Sequence, residues 1–337
     1  MPEARLIAVA SRTLATARSF CAEFPDVYVA EDYEALVADP AIDVIYVATP
    51  HHLHAQQTIL ALEAGKHTLC EKPFTLNADE ARAVAETARR TGRFCMEAMW
   101  MRFMPVVLRA KQLIEAGEIG DPRLLHADFG VATAMSPDSR FYDPAAGGGA
   151  LLDRGVYAVS LSTMLFGRPE RVMALSTMAS TGVDEQTGVV LEFGEGRLAV
   201  LSCSLSSYTS NTASISGTHG KITLEAPFFC PARLDLERYE PSAPAESGDA
   251  PSGNIIEAFS RTEVGRLARR TARPMVRRLR RSVVRIRLDG NGYGYEAAEV
   301  VRCLRAGLSE SPLMPLEEST MIMETLDRIR STGRGGH

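Results

Sequence analysis

Glu71 and Lys72 place two opposite charges side by side at the end of a short apolar segment, directly before Pro73. Proline has no backbone N–H to donate, so a strand that reaches it ends there. The pair is therefore expected at the carboxyl edge of a parallel sheet, where open α/β sheets bind ligands. An amine at such an edge can accept or donate a proton. An exposed Glu-Lys pair on an ordinary loop is the alternative.

The elements that must position this pair alternate between strand and helix. Apolar segments predict strands, and the segments between them have helical spacing. The predicted strands are 5–10, 27–30, 43–48, 67–71 and 94–96, and the predicted helices are 14–24, 32–38, 53–64 and 78–92. This alternation predicts an α/β fold with a doubly wound parallel, Rossmann-like sheet.

One unit of such a sheet is not in this sequence. A dinucleotide-binding sheet opens with a strand, a GxGxxG turn and a helix whose N-terminus holds the pyrophosphate. This sequence begins at what corresponds to the second strand, and its first glycine is Gly65. Because the first strand is central in the order 3-2-1-4-5-6, we expect a sheet that lacks it and has a gap or unpaired edges. A start further upstream and a divergent protein are the two explanations.

The second half predicts an α+β domain. Its apolar segments alternate with a period of two and are joined by glycine-containing turns. We expect a large, open, mostly antiparallel sheet from strands 124–129, 171–178, 188–193, 197–204, 212–217 and 221–224, with helices over 153–166, 293–308 and 317–330. The domains are 1–104 and 105–330. A linker and an arginine-rich insert at 240–287 interrupt the second domain, and the insert is expected to be a solvated surface segment or a site for an acidic partner or membrane surface.

Composition argues against several classes of function. The 337 residues carry a formal net charge of −5, whereas nucleic-acid binding needs a basic surplus. No segment approaches the roughly 18 to 20 apolar residues of a membrane span. The six cysteines have no paired spacing, so we expect neither zinc nor disulfides, and a cytoplasmic location. His51, His52 and His54 have no acidic or cysteine neighbours at metal spacing, so we expect solvent-facing or capping roles and no metal.

Three ordered motifs give the sequence a resemblance to a known family. They are TP at 49–50 followed by His54, EKP at 71–73, and GGGALLDRGVY at 147–157. The sequence resembles the Gfo/Idh/MocA oxidoreductases. EAMWMRF at 97–103, with Tyr157, is similar to the branch of dimeric dihydrodiol dehydrogenases, which also oxidise D-xylose. The resemblance implies an NADP-dependent enzyme, with NAD less favoured, and a homodimer formed through the open sheet.

The resemblance also implies which residues hold the cofactor. A Ser-Arg pair at the end of the second strand suits the 2′-phosphate of NADP, whereas an acidic residue there would suit NAD. Glu71 would hold ribose hydroxyls or orient Lys72. The implied cofactor-binding residues are Ser11, Arg12, Thr49, Pro50, His54, Glu71 and Lys72.

Lys72, Tyr157 and Asp153 are the implied catalytic residues. Oxidation of an alcohol or lactol requires removal of the hydroxyl proton as the hydride leaves, and an amine and a phenol can share that task. We expect partial burial and the nicotinamide to lower the pKa of Lys72, and the ammonium to lower that of Tyr157. The Asp153-x-x-x-Tyr157 spacing predicts one helix face. Trp100, Arg102, Asp153 and Tyr157 are expected to bind the substrate, although Trp100 could pack in the core.

The sequence therefore predicts an NADP-dependent oxidoreductase that transfers a hydride between nicotinamide and a sugar or cyclic diol, of the D-xylose or trans-dihydrodiol type. The small molecule is the expected partner, with no nucleic acid and no membrane span. The alternative is a non-catalytic relative that keeps the fold to bind a ligand or partner, because the phosphate-binding turn is not in the sequence.

Overall fold

The first hundred residues form the predicted alternation of strands and helices. A computed structural model describes residues 4–136, 139–239 and 281–333. The strands of this part are β1 (Ala8–Val9), β2 (Tyr28–Val29), β3 (Val44–Val47), β4 (His67–Glu71) and β5 (Cys95–Ala98). The helices are α1 (Leu14–Cys21), α2 (Tyr33–Ala38), α3 (His54–Glu63) and α4 (Ala78–Thr91). The Rossmann-like α/β class is confirmed.

Local sequence explains where these helices begin and end. Thr13, Asp32 and Asn77 cap α1, α2 and α4, because each side-chain oxygen accepts from the backbone N–H three residues on. Helix α4 ends at Gly92, whose φ of 63° is left-handed and favours glycine.

The parallel strands make two sheets rather than one. β1 pairs with β2, and β3, β4 and β5 pair in that order. Within the described residues, no strand pairs with the second edge of β1 or of β3. The Rossmann-like sheet is therefore interrupted between β1 and β3, which is the expected gap. The β3–β4–β5 edge that carries Lys72 is continuous.

The second half is built on one eight-stranded sheet. Its strands are β6 (Pro122–Gly130), β7 (Arg171–Met178), β8 (Asp184–Phe193), β9 (Arg197–Ser204), β10 (Ala213–Gly217), β11 (Gly220–Leu224), β12 (Arg233–Arg238) and β13 (Arg281–Arg285). Their order is β13-β12-β11-β10-β6-β9-β8-β7, and only β6 and β9 pair in parallel. The predicted large, mostly antiparallel sheet is confirmed, although β12 and β13 were not predicted.

Helices connect the large sheet to the first half. They are α5 (Pro105–Glu115), which the sequence analysis did not predict, α6 (Val156–Phe166), α7 (Tyr293–Arg305) and α8 (Leu316–Gly333). Helix α8 packs against β7, α6 and α4. The Asp327 carboxylate also accepts from the Ala78 backbone at 2.8 Å, so α8 returns to the first half. The division at 104/105 stays a prediction. None of the helices described is both long and apolar enough to cross a membrane.

Only the end of the predicted arginine-rich insert lies within the described residues. Residues 240–280, including the predicted linker, lie outside them. Residues 281–285 pair with β12 as an edge strand, and Arg281 binds the buried carboxylate of Asp235. The stretch lies at the surface as expected, because four of its five residues are exposed, but ladder hydrogen bonds and the Arg281 ion pair also hold it to the sheet.

Candidate active site

Lys72 reaches from the first half of the chain to the second. It follows β4, and its Nζ lies 2.9 Å from the backbone oxygen of Asp153 and 3.3 Å from carboxylate oxygen Oδ1. The Lys72 side chain is only 15% exposed, so the two charges interact with little solvent between them. This contact joins the carboxyl edge of the parallel sheet to the segment that begins α6.

Tyr157 lies beside the same ammonium group. Lys72 Nζ is 4.9 Å from the centroid of the Tyr157 ring, a cation–π distance. Trp100 Nε1 donates a hydrogen bond to the Tyr157 hydroxyl at 2.8 Å. The hydroxyl proton is left for another acceptor. The structure brings Lys72, Asp153 and Tyr157 together, while their catalytic roles stay predictions.

The glycine run before Asp153 allows the backbone to approach the first half closely. Gly147 has a φ of 78°, and a Cβ there would lie 2.4 Å from Leu76 Cδ2. Gly149 has a φ of 119°, and a Cβ there would lie 2.2 Å from Asp184 Oδ1. Larger residues would be strained and would clash at both positions. Gly147 therefore lets the segment before Asp153 lie against the first half, and Gly149 lets it lie against β8.

Asp153 lies in a π-helical turn, Leu151–Gly155, that precedes α6. The predicted helix start at Asp153 is wrong in this detail, because a wider turn replaces the first α-helical one. The Leu151 backbone N–H donates to the Asp184 carboxylate at 2.7 Å and fixes the start of the turn. Asp153 and Tyr157 nevertheless both contact Lys72.

The charge states differ from those expected from the sequence. Burial alone would lower the pKa of Lys72, but Asp153, Tyr157 and Glu71 together raise it. Burial raises the pKa of Tyr157 by more than the Lys72 charge lowers it. Burial would raise the pKa of Asp153, but Lys72 and other cations lower it. The chain's own groups therefore raise the pKa of Lys72 and of Tyr157 rather than lower it, so both are protonated at neutral pH, and the effect of a nicotinamide on Lys72 stays a prediction.

Asp153 has further cationic neighbours that the sequence analysis did not identify. Arg140 Nη1 lies 3.5 Å from Asp153 Oδ1, and Arg154 Nε lies 3.8 Å from Oδ2. Arg140 also contacts His51 Nε2 at 3.4 Å. Arg140 comes from a loop between β6 and α6, and no motif in the sequence associates it with the site.

An aromatic wall continues from Tyr157. We use this name for Phe129, Phe229, Trp100, Tyr293 and Tyr157. Phe129 and Phe229 stack at 4.5 Å, Phe229 lies 5.1 Å from Tyr157, and Trp100 stacks on Tyr293 at 4.5 Å. Trp100 is 7% exposed and lies in the hydrophobic core, which was the alternative that the sequence left open, and its contact with substrate stays a prediction. Phe129, Phe229 and Tyr293 come from distant segments without a shared spacing, so the sequence analysis missed them.

The histidines hold turns in place. His54 is fully buried, and its ring nitrogens each lie 2.8 Å from a carbonyl oxygen, those of Thr49 and Pro73. It therefore ties together the turns after β3 and β4, and the expectation of a direct cofactor contact is wrong. Burial lowers the pKa of His51 to about 4. Only His52 faces solvent as expected, and no metal-binding cluster occurs among the residues described.

Arg102 does not bind substrate as expected. It is 1% exposed, and it donates to the Ser160 hydroxyl at 2.8 Å and the Ser160 carbonyl at 2.9 Å. Its remaining contacts are Thr163 Oγ1 at 3.2 Å and the Glu318 carboxylate. These bonds occupy the guanidinium donors, so Arg102 joins α6 to α8 beneath the site.

The predicted cofactor residues lie where parallel strands end. Ser11 and exposed Arg12 follow β1, Thr49 and Pro50 follow β3, and Glu71 ends β4. Thr49 Oγ1 is buried and has no hydrogen-bond partner among the described residues. A carboxylate for ribose hydroxyls, a guanidinium for a phosphate and an unsatisfied hydroxyl fit a dinucleotide.

Comparison with protein-family models gives two matches. The model described as "Oxidoreductase family, NAD-binding Rossmann fold" matches residues 1–99. The model described as "GFO/IDH/MocA C-terminal domain" matches residues 107–223. Lys72 lies in the first matched segment, and Asp153 and Tyr157 lie in the second.

Comparisons with individual proteins agree with the two family-model matches. Trans-1,2-dihydrobenzene-1,2-diol dehydrogenase of Oryctolagus cuniculus is 37% identical, covering 97% of this chain and 90% of that protein. The Caulobacter crescentus aldose-aldose oxidoreductase structure, complexed with glycerol, has a TM-score of 0.77 and 21% identity over 99% of this chain and 90% of its own. The structure of the Actinomadura kijaniata 3-ketoreductase KijD10, with NADP and TDP-benzene, has a TM-score of 0.76 and 23% identity. The match covers 97% of this chain and 89% of that chain.

Arg102→Met should destabilise the fold rather than weaken substrate binding. Removing the guanidinium leaves the Ser160 carbonyl and other buried acceptors unpaired, which costs about 2 to 4 kcal/mol of unfolding free energy. Urea unfolding measures this loss. Arg109→Met, on the exposed side of α5, is the matched control and should change stability by under about 0.5 kcal/mol. A stable Arg102→Met protein with only a raised substrate KM would contradict the assignment.

Proposed function

This chain belongs to the Gfo/Idh/MocA oxidoreductase family, and we propose that it transfers a hydride between NADP and a sugar or cyclic diol. The observation that carries the proposal is the Lys72 ammonium held against the Asp153 carboxylate and beside the Tyr157 ring. Similarity to enzymes named for dihydrodiols and aldoses supports the substrate class.

Tyr157 and Lys72 handle the proton in this proposal. Bound NAD(P) supplies or accepts the hydride. In carbonyl reduction, the Tyr157 hydroxyl donates its proton to the substrate oxygen, and the Lys72 ammonium stabilises the phenolate that remains. In alcohol oxidation, the phenolate takes the hydroxyl proton back. Asp153 holds the ammonium in place throughout.

The aromatic wall favours a ring-shaped substrate. Its rings pack against one another as an apolar cluster that includes the Tyr157 ring, and Asp153 supplies a carboxylate acceptor for hydroxyl groups. A cyclic diol or a pyranose has both features, an apolar ring face and hydroxyls at its edge. The site is therefore better suited to such molecules than to an extended chain.

Lys72→Met and Tyr157→Phe should each lower kcat by roughly 100-fold or more, because each removes part of the proton transfer. Both groups are protonated at neutral pH, so alcohol oxidation should accelerate as the pH rises above neutrality, while carbonyl reduction should slow. Steady-state rates with D-xylose and a trans-dihydrodiol, measured in both directions, test this.

Lys111→Met, an exposed lysine on α5, is the matched control and should keep the wild-type rate. Full turnover by Lys72→Met would contradict the proposed chemistry. A wild-type protein that binds its ligand but never turns over would instead favour the non-catalytic alternative.

Arg12 supports the choice of NADP over NAD. It is exposed at the end of β1, where an adenosine ribose lies in dinucleotide-binding sheets, and its guanidinium suits a phosphate.

Arg12→Ala should weaken NADPH binding about 10- to 100-fold, because a charge-assisted bond to phosphate is worth about 1.5 to 3 kcal/mol. Binding of NADH, which has no 2′-phosphate, should change little. Fluorescence titration measures both. Arg18→Ala, on α1, is the control, and an equal loss of NADPH and NADH affinity in Arg12→Ala would contradict the assignment.

The outer face of the large sheet supports a homodimer. Met173 lies opposite Val190 in the sheet register, and Val190 lies opposite Val200, so apolar side chains form a row across three strands. Met173 is 67% exposed and Leu175, on the same face, 69%. A continuous exposed apolar patch of this kind marks an interface, and a second copy of this chain is the proposed partner.

The paired substitution Val190→Asp and Val200→Asp should convert a dimer to a monomer, because it buries two carboxylates in the interface. Light scattering after size-exclusion chromatography gives the mass. Tyr208→Asp, at an exposed loop aromatic, is the control and should leave the mass unchanged. A wild-type protein of monomer mass would contradict the homodimer.

The cysteines agree with a cytoplasmic location, which is part of the proposal. All six are free thiols, and four are buried. Proteins kept in a reducing compartment have such thiols, whereas secreted proteins pair theirs.

A further inference from the structure

Glu296 is a buried carboxyl group that the proposed chemistry does not use. It lies in the first turn of α7 and is 2% exposed. Its Oε2 has no hydrogen-bond partner among the residues described. A buried, unpaired carboxylate is costly, so such a group either holds a proton or meets a ligand.

No cation of the described residues 4–136, 139–239 and 281–333 acts on Glu296 to compensate a negative charge. Glu71, at the end of β4, is the charged group that acts on it, and Tyr46 of β3 and Tyr293 of α7 also lie within electrostatic reach. Helix α7 packs against the turn 100–103. The one charged residue of that turn, Arg102, is directed instead at α6 and α8.

Glu71, in contrast, has a hydrogen-bond donor at each oxygen. The Tyr46 hydroxyl donates to its Oε1, and the Lys72 backbone N–H donates to its Oε2 at 3.1 Å. The buried Glu97, which accepts from the Phe74 backbone at 3.1 Å, is a second acidic group within electrostatic reach of Glu71.

We propose that Glu296 is a positioning residue of the cofactor site: it stays protonated, so that no second negative charge from α7 acts on Glu71, which faces the cofactor ribose. This inference rests on the proposed cofactor role of Glu71. Glu296 acts through Glu71 and takes no part in proton transfer to substrate.

Loss of the Glu296 proton would disrupt this arrangement. Burial, and then the Glu71 charge, raise the pKa of Glu296 to about 9. Above that pH Glu296 and Glu71 both carry a negative charge within electrostatic reach of each other, and their repulsion displaces Glu71 from its place at the end of β4. Lys72 itself stays charged there, because its pKa is raised.

NADPH binding to the full chain tests the proposal, with quenching of Trp100, the single tryptophan, as the signal. From about pH 7 to about pH 10 the wild-type dissociation constant should rise about tenfold, as expected when only the protonated form binds. In Glu296→Gln, which imitates the neutral acid, the same change should fall below about twofold. Glu299→Gln, one turn later on α7 and paired with Arg302, should keep the wild-type pH dependence.

The infrared difference spectrum between the ligand-free wild type and ligand-free Glu296→Gln gives a second readout, the protonation state of Glu296. At about pH 8, the wild type should show the carbonyl stretch of a protonated carboxylic acid that Glu296→Gln lacks. Absence of that band, or a parallel pH dependence of NADPH binding in Glu296→Gln, would overturn the proposal. Failure of the wild type to bind NADPH at any pH would contradict the cofactor assignment instead, and the infrared band would still decide the state of Glu296.

Discussion

The ion pair between Lys72 and Asp153 is the contact on which the candidate site depends. It joins the carboxyl edge of the parallel sheet to the π-helical turn of the second half, so it exists only when both halves are folded and docked. Because both partners are largely buried, each charge needs the other, and loss of either leaves an uncompensated ion. Helix α8 supports the same docking from the far side, through α4 and α6.

Electrostatics then determine what the site can do. The carboxylates around Lys72 hold it as an ammonium, and burial holds Tyr157 as a neutral phenol, so the pair is prepared to donate a proton. The same ammonium stabilises the phenolate once the proton has left. This division of roles differs from a lysine with a lowered pKa acting as a base, and it makes the direction of catalysis depend on pH.

Much of this could be predicted from the sequence, and the physical reasons are clear. Strand and helix positions in the first half follow from apolar segments and from caps such as Asn77 and Gly92. The position of Lys72 at the carboxyl edge of the sheet followed from the proline after it, whereas its pairing with Tyr157 was implied by the resemblance to the Gfo/Idh/MocA family. The gap in the parallel sheet followed from the usual strand order, in which the first strand is central.

The remaining features depend on tertiary contacts that no local pattern reveals. Arg102 looked like a substrate ligand because it follows Trp100, yet its partners lie on α6 and α8. The pKa directions of Lys72 and Tyr157 depend on how much burial and how much charge each group meets, and spacing does not report that. The sequence did not identify Glu296 as a residue of the site, because acidic residues are common in the first turn of a helix.

Solvent isotope effects test the central claim most directly. If Lys72 and Tyr157 deliver the proton as the hydride moves, the wild type should show isotope effects on kcat/KM both from heavy water and from deuterium on the reacting carbon. In Tyr157→Phe the size of the solvent effect should change, because the remaining turnover exchanges its proton with another group, while the substrate effect persists. An unchanged solvent isotope effect in Tyr157→Phe would contradict the account, because the proton would then come from another group.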